Sequence, residues 1–245
     1  MSGHSHAKTI KHDKNIADQK RGKTFSKLAR LISVAAKEKG PNPETNPKLR
    51  MAIEAARSAN MPKDNVDRAI KKGTGEDISA ESLEEVMFEA FGPGGIAIII
   101  EGITDNRNRA LGEVKQILNQ FNGKLGGEGA VRWMFEKKGW LAIDLGSQTD
   151  ELKNEEALEM TSIEAGAQDV HWQDGILDVY AEVEDFEKVK KSLEERGIVI
   201  DSASLDWVPK EEVILDEKEK ESCQKLFDAL DDSDSVQGVY SNLKP

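Results

Sequence analysis

At 245 residues, with 33% charged and only 38% hydrophobic side chains, the chain is too long for a single domain of roughly 100–150 residues and predicts two or three. Its formal net charge of −12 would by itself argue against a nucleic-acid partner. The single cysteine, Cys223, excludes an internal disulfide, and no apolar run approaches the ~20 residues of a membrane span.

The charge is not evenly spread. Residues 1–75 hold 17 Lys and Arg against 7 Asp and Glu, a balance of +10, whereas the remainder holds 17 against 39, a balance of −22. Such asymmetry predicts a basic module joined to an acidic body. With no apolar signal core at the N-terminus and a lone thiol suited to a reducing compartment, a cytoplasmic protein outside the membrane is expected.

Residues 1–15 read as irregular and basic. From about Ile16, Phe25, Leu28, Ala29, Ile32, Ala35 and Ala36 recur at three- and four-residue steps and predict a helix with one apolar face. Gly40-Pro41-Asn42-Pro43 ends it. Asn46 before Pro47 starts a second helix lined by Leu49, Ile53 and Ala56. Pro62 opens a third, carrying Val66, Ala69 and Ile70, which Gly73 and Gly75 close. Beyond residue 80 strands alternate with helices. Strands are predicted near 85–91, 95–103 and 131–137, with a helix at 107–121. The stretch 139–208 reads β-α-β-β-α-β, the split βαβ order of a ferredoxin-like sandwich. The tail reads as a strand near 211–215, a helix near 217–230 and a strand near 235–241. Read tail first, the tail and residues 85–137 supply the elements of a second copy.

The expected fold is therefore α+β: an N-terminal three-helix domain (1–78) followed by two ferredoxin-like α/β sandwiches. One sandwich is discontinuous (79–137 with 209–245) and the other (138–208) is inserted in it.

Lys20, Lys23, Lys27, Arg30 and Lys37 fall in one stripe of the first helix, roughly opposite its apolar face. With Arg21 they make a row of cations that Lys8, Lys11 and Lys14 extend toward the N-terminus. Lys63, Arg68, Lys71 and Lys72 add a cluster on the third helix. Many cations on a rigid surface suit phosphate recognition, which draws affinity from counterion release. A solvated helix face is the competing reading, and charge alone does not separate DNA from RNA. The link at residues 40–45 is longer than a helix-turn-helix turn of roughly three or four residues.

Residues 104–109, Thr-Asp-Asn-Arg-Asn-Arg, stand between a strand end and a helix start. Thr104 or Asp105 can cap that helix. The further polar groups (Asp105, Asn106, Arg107, Asn108 and Arg109) suit a phosphate or a protein partner. Gly92-Pro93-Gly94-Gly95 lacks the Lys-Ser/Thr pair of a phosphate loop and reads as a turn between strands. Val131, Trp133 and Phe135 alternate like one face of a strand packed into a core. His4, His6 and His12 lack a metal-binding framework, and His171 reads as a partly buried strand residue. No metal, cofactor or catalytic set is expected.

The order of segments resembles the YebC family, which includes mitochondrial translational activators of cytochrome c oxidase. The resemblance rests on Gly3-His4-Ser5, Ile10-Lys11-His12, Lys20-Arg21-Gly22-Lys23 and Gly40-Pro41-Asn42-Pro43 with Asn46-Pro47. It continues through Asn60-Met61-Pro62-Lys63-Asp64, Gly92-Pro93-Gly94-Gly95, residues 104–109 and Phe135-Glu136-Lys137-Lys138-Gly139, so it spans nearly the whole chain. Two positions depart from it: His6-Ala7 stands where the family usually has Lys-Trp, and Asp13 where Arg is frequent. The resemblance implies a helical domain and two ferredoxin-like domains. It also implies a regulator of gene expression that binds DNA as a transcription factor or associates with ribosomes in translation. Taken with the residues, the expectation is a non-enzymatic, monomeric RNA- or ribosome-associated factor, with DNA binding as the alternative. A protein-interaction scaffold whose basic face meets an acidic partner is the third reading, and the acidic α/β domains are open to protein partners.

Overall fold

The computed structural model describes residues 18–75, 82–150 and 152–244. The chain divides into two compact units. One runs to Met134 and resumes at Pro209; the other is Phe135–Val208.

The first unit begins with three helices: α1 (Asp18–Lys39), α2 (Pro47–Ser58) and α3 (Lys63–Gly73). Pro47 occupies the first turn of α2, where its missing N–H leaves no intrahelical bond unmade. Asn46 caps that helix: its Oδ1 accepts from the Leu49 N–H at 3.1 Å, while its amide donates to the Ala35 and Gly40 carbonyls. One buried side chain thus ties the end of α1 to the start of α2. Ile32, Ala35, Ala36, Leu49, Ala52, Ile53, Ala56, Val66 and Ala69 form the bundle core. The α1–α3 crossing is close because Gly73 has no side chain. A Cβ there would lie 2.1 Å from the Ser33 carbonyl oxygen. Beside it, the Ser33 hydroxyl donates to the Ala69 carbonyl at 2.8 Å.

The rest of the unit is a four-stranded sheet ordered β3-β1-β2-β8, built from β1 (Glu84–Phe91), β2 (Ala97–Thr104), β3 (Lys124–Leu125) and β8 (Val236–Ser241). β1 pairs antiparallel with β2 and β3, and β2 pairs antiparallel with β8. Helices α4 (Arg107–Gln120) and α7 (Glu217–Asp231) cover one face, where Val86, Phe88, Ala90, Ile98 and Ile100 meet Val114, Leu118, Leu226, Phe227 and Leu230. Val34 and Leu31 of α1 pack with Leu83 and Ile103, so β2 also gains cover from the helical bundle. Burial of both faces explains why residues 96–100 read as a continuous apolar run rather than an alternating one. Pro93 and Gly95 bound a tight turn between β1 and β2, in which Gly94 takes φ +67 and a Cβ would meet Leu215 at 2.5 Å.

The second unit holds β4 (Phe135–Asp144), α5 (Glu155–Glu164), β5 (Asp169–Gln173), β6 (Ile176–Glu182), α6 (Phe186–Glu195) and β7 (Ser202–Pro209), with strand order β5-β6-β4-β7. This is a split βαβ: β4 and β5, joined through α5, flank β6. In the first unit β2 and β3, joined through α4, flank β1 in the same way. The two sheets differ in where the middle strand comes from, following the motif in one and preceding it in the other.

Two predicted strands need correction. The strand expected at 131–137 is instead a 3-10 turn (Arg132–Met134) leading into β4, which is also the first strand expected in 139–208. The fourth strand of the first sheet is the two-residue β3. The strand expected at 211–215 is reduced to one bridge, Val213 with Leu243.

Gly73→Ala is expected to destabilise the first unit by about 1–3 kcal/mol, because backbone on α1 must move to admit the methyl group. Gly22→Ala, inside α1 with nothing within 4 Å of the added Cβ, should stabilise by about 0.5–1 kcal/mol. Denaturant unfolding of both variants checks the pair.

Candidate nucleic-acid interface

The cations of α1 lie where the sequence puts them on the helix, and Lys23, Lys27, Arg30 and Lys37 are engaged within the unit, although Lys23 and Lys37 remain exposed. Lys23 Nζ lies 3.0 Å from Asp232 Oδ1, and Lys27 Nζ lies 2.9 Å from Asp231 Oδ1 and 2.6 Å from the Asp231 carbonyl. Arg30 donates to the carbonyls of Asp234 and Ile103, and Lys37 to the Ser82 hydroxyl and the Leu83 carbonyl. Asp231 ends α7, where unsatisfied carbonyls and the helix dipole already concentrate negative charge. The stripe is thus largely an intramolecular seam, and Lys27, 17% exposed, is its most enclosed ion pair. Lys48 adds a second tie, bonding Glu38 at 2.9 Å and Glu85 at 2.7 Å. Burial works against the Lys48 charge, but hydrogen bonds to Glu85 and Glu38 prevail and raise its pKa.

Lys8, Lys11, Lys14 and the side chain of Lys20 lie outside the described residues, as do His4, His6, His12 and the departures at His6, Ala7 and Asp13. Arg21 is exposed on α1. On α3, Lys63, Arg68 and Lys71 are exposed, interleaved with Asp64 and Asp67, and Lys72 is half-buried. Lys72 and Lys37 both line a cleft of about 540 Å³ together with Thr74 and Ser82. Among the described residues, Lys63, Arg68 and Lys71 of α3 are exposed, whereas Lys23, Lys27, Arg30 and Lys37 of the α1 stripe are engaged within the unit.

Residues 104–109 form a compact polar turn whose cap is neither Thr104 nor Asp105. Asn106 takes an extended backbone (φ −146), and its side chain accepts from the Arg109 N–H at 3.0 Å. Thr104 accepts from the Asn106 N–H at 3.0 Å, which fixes the turn, and Asp105 pairs with the Arg109 guanidinium. Arg107 and Asn108 remain exposed. The first turn of α4 carries no acidic residue. Asp105 already offsets Arg109, whereas Arg107 stands exposed at the positive pole of the helix, where an anion would be favourable.

Trp133 was expected in a core but is 67% exposed, while its neighbours Val131 and Phe135 are buried. Glu89 of β1 is the group that sequence reasoning missed. Its buried carboxylate accepts from the backbone N–H groups of Gly129 (2.6 Å), Val131 (2.7 Å) and Arg132 (2.8 Å). Burial alone would raise its pKa, yet these donors and the Arg132 charge hold it below the ordinary carboxylate value.

Other ionisable groups have structural settings. Burial pushes the Cys223 thiol up to about 11, so it is not a nucleophile near neutral pH. His171 is exposed, against expectation, and sits 3.0 Å from Asp169. Asp178 on β6 is buried, and the Trp140 indole N–H donates to it at 2.9 Å. Burial raises its pKa to about 6; the Trp140 bond and His171 oppose this, and Asp206 adds to it. Among the described residues no cluster of His, Cys, Asp or Glu could hold a metal ion, and no helix is long and apolar enough to cross a membrane.

An N-terminal helical bundle followed by two antiparallel α/β sheets, one interrupting the other in sequence, defines the class. The chain belongs to the TACO1/YebC family. The model of the family's N-terminal domain matches residues 5–76, and that of its second and third domains matches 83–243. A protein of Halothermothrix orenii named "probable transcriptional regulatory protein" is 47% identical over 244 residues, covering 99% of this chain and 95% of that one. One of the same name from Trichlorobacter lovleyi is 46% identical over 243 residues, covering 99% and 96%. The crystal structure of a conserved hypothetical protein from Aquifex aeolicus is similar at a TM-score of 0.86 and 42% identity, covering 93% of this chain and 91% of that one.

Lys27→Glu and Arg30→Glu are expected to lower the melting temperature of the first unit, whereas Lys63→Glu and Lys71→Glu should leave it nearly unchanged; thermal scans at low and high salt check this. For Asp178 the sign follows from its raised pKa. The native state keeps the proton that the unfolded chain releases between about pH 4 and 6, so stability falls as pH rises through that window. Asp178→Asn should remove that loss, of order 3 kcal/mol at most, and raise the unfolding midpoint at pH 7.5 but not at pH 4.

Proposed function

We propose that the chain is a non-enzymatic regulator of gene expression that binds RNA and acts as a ribosome-associated translation factor. The observation that carries this reading is the charge partition, +10 in residues 1–75 against −22 in the rest, with part of that excess exposed on α3. A phosphate backbone is the partner that such a surface on an acidic protein selects, since the remainder of the chain repels it. Lys63, Arg68, Lys71 and Lys72 form the rigid part of the site, and Lys8, Lys11, Lys14, Lys20 and Arg21 extend it in sequence. Arg107, Asn108 and Arg109 supply a second phosphate contact. RNA is favoured over DNA because the seven-residue α1–α2 link does not make a helix-turn-helix. The acidic α/β domains are left to meet proteins, and the chain works as a monomer in the cytoplasm.

The names of the relatives favour a second reading, a transcriptional regulator that binds DNA. Ultraviolet crosslinking in cells with sequencing of the recovered nucleic acid separates the two. Ribosomal or transfer RNA supports the first, enriched promoter DNA supports the second, and an empty recovery sinks both. In vitro, Lys63→Glu/Arg68→Glu/Lys71→Glu is expected to weaken RNA binding at least tenfold at 0.1 M salt and to flatten its salt dependence. Unchanged affinity in the folded triple variant would remove α3 from the interface.

A further inference from the structure

We infer that Trp133 is a stacking platform for an unpaired RNA base. The inference rests on the RNA-binding reading above and adds to it a site on a different element.

Three observations carry it. The indole is 67% exposed although the same segment buries Val131 completely and Phe135 nearly so. The loop that bears it is fixed: the Glu89 carboxylate holds the N–H groups of Gly129, Val131 and Arg132, and the Glu89 carbonyl accepts from Gly126 at 2.7 Å. At its far end Met134 accepts from the Lys210 N–H at 2.9 Å. A buried carboxylate spent on three backbone donors is a costly way to shape a loop unless its outward side chain needs a fixed position. Finally, the indole N–H is already used, donating to the Ala130 carbonyl at 3.2 Å. That leaves the ring faces, and not its donor, to meet a ligand.

A flat aromatic face without a free donor suits a planar ring. Stacking on it is tolerant of sequence, because every base has such a face. Arg132 precedes Trp133 and is exposed, and Lys124 is exposed on β3, paired across from Phe91. Residues 121–134 carry these two cations against Glu128 alone, a local positive balance within the acidic part of the chain. An apolar protein partner would not need the cations, whereas a nucleotide presents a base to the indole and its phosphate to the adjacent Arg132. Alternating aromatic and basic groups is the chemistry of single-stranded RNA contacts.

The test compares wild type, Trp133→Ala and Trp133→Phe in the full chain for binding to a fluorescently labelled unstructured oligouridine, across a salt series. Trp133→Ala should weaken binding about tenfold, within the range for loss of one stacked base, with the salt slope unchanged because no phosphate contact is lost. Trp133→Phe, which keeps a ring, should recover most of the affinity. The thermal midpoint of all three should agree, since the indole is exposed. Equal binding by wild type and Trp133→Ala overturns the platform while leaving the α3 surface standing. Equal loss in the Ala and Phe variants also overturns it. Absence of binding by wild type overturns the RNA reading and this proposal together. A wild-type self-association abolished by Trp133→Ala would assign the face to a protein contact instead.

Discussion

The seam between α1 and the end of α7 is the constraint on which the placement of the basic module depends. Lys23 and Lys27 reach Asp232 and Asp231, while Arg30 takes the Asp234 carbonyl beyond the helix end and the Ile103 carbonyl of β2. Exposed ion pairs are individually worth little, roughly 0–1 kcal/mol. Here they border an apolar contact of Val34, Leu31, Leu83 and Ile103, which excludes water and holds the two surfaces in register. Charge gives the seam its specificity and apolar burial gives it its strength. The helical bundle is therefore carried on the first sheet in a set orientation, and the cations left exposed on α3 inherit that orientation.

The same sheet shapes a second surface by different means. β2 is buried on both faces, and β1 beside it turns Glu89 away from the helices and under the loop at 126–132. Three backbone donors on one carboxylate replace the ladder that a continuous strand would have made. The price in regular structure is a 3-10 turn where alternation predicted strand, and the outcome is an exposed indole between two buried neighbours.

The three helices, the apolar run at 96–100, the inserted split βαβ and the helix at the C-terminal end were all legible in the sequence, because each rests on local period or punctuation. Asn46-Pro47 signals a helix start wherever it occurs. The Asn106 cap was harder: Thr104, Asp105 and Asn106 are all competent, and only the extended backbone at Asn106 decides which oxygen reaches the Arg109 N–H. Trp133 was misplaced because alternation of Val131, Trp133 and Phe135 looks the same whether the segment is a strand or a turn with two residues tucked in. The signal that could have warned of this is the glycine-rich stretch before it, together with an acidic residue in the middle of β1.

By itself the sequence determined the family, the order of helices and strands and the separation of positive from negative charge, since these follow from residue types and short-range spacing. Which cations stay free was decided only by tertiary structure. Lys27 and Asp231 are distant in the chain, and nothing local distinguishes Lys27 from Lys63 or Lys71. Packing of α1 against the sheet brings one lysine to a helix C-terminus and leaves the others exposed. Electrostatic partners are chosen by distance in space, and at such separations in sequence that distance is set by the burial of apolar faces.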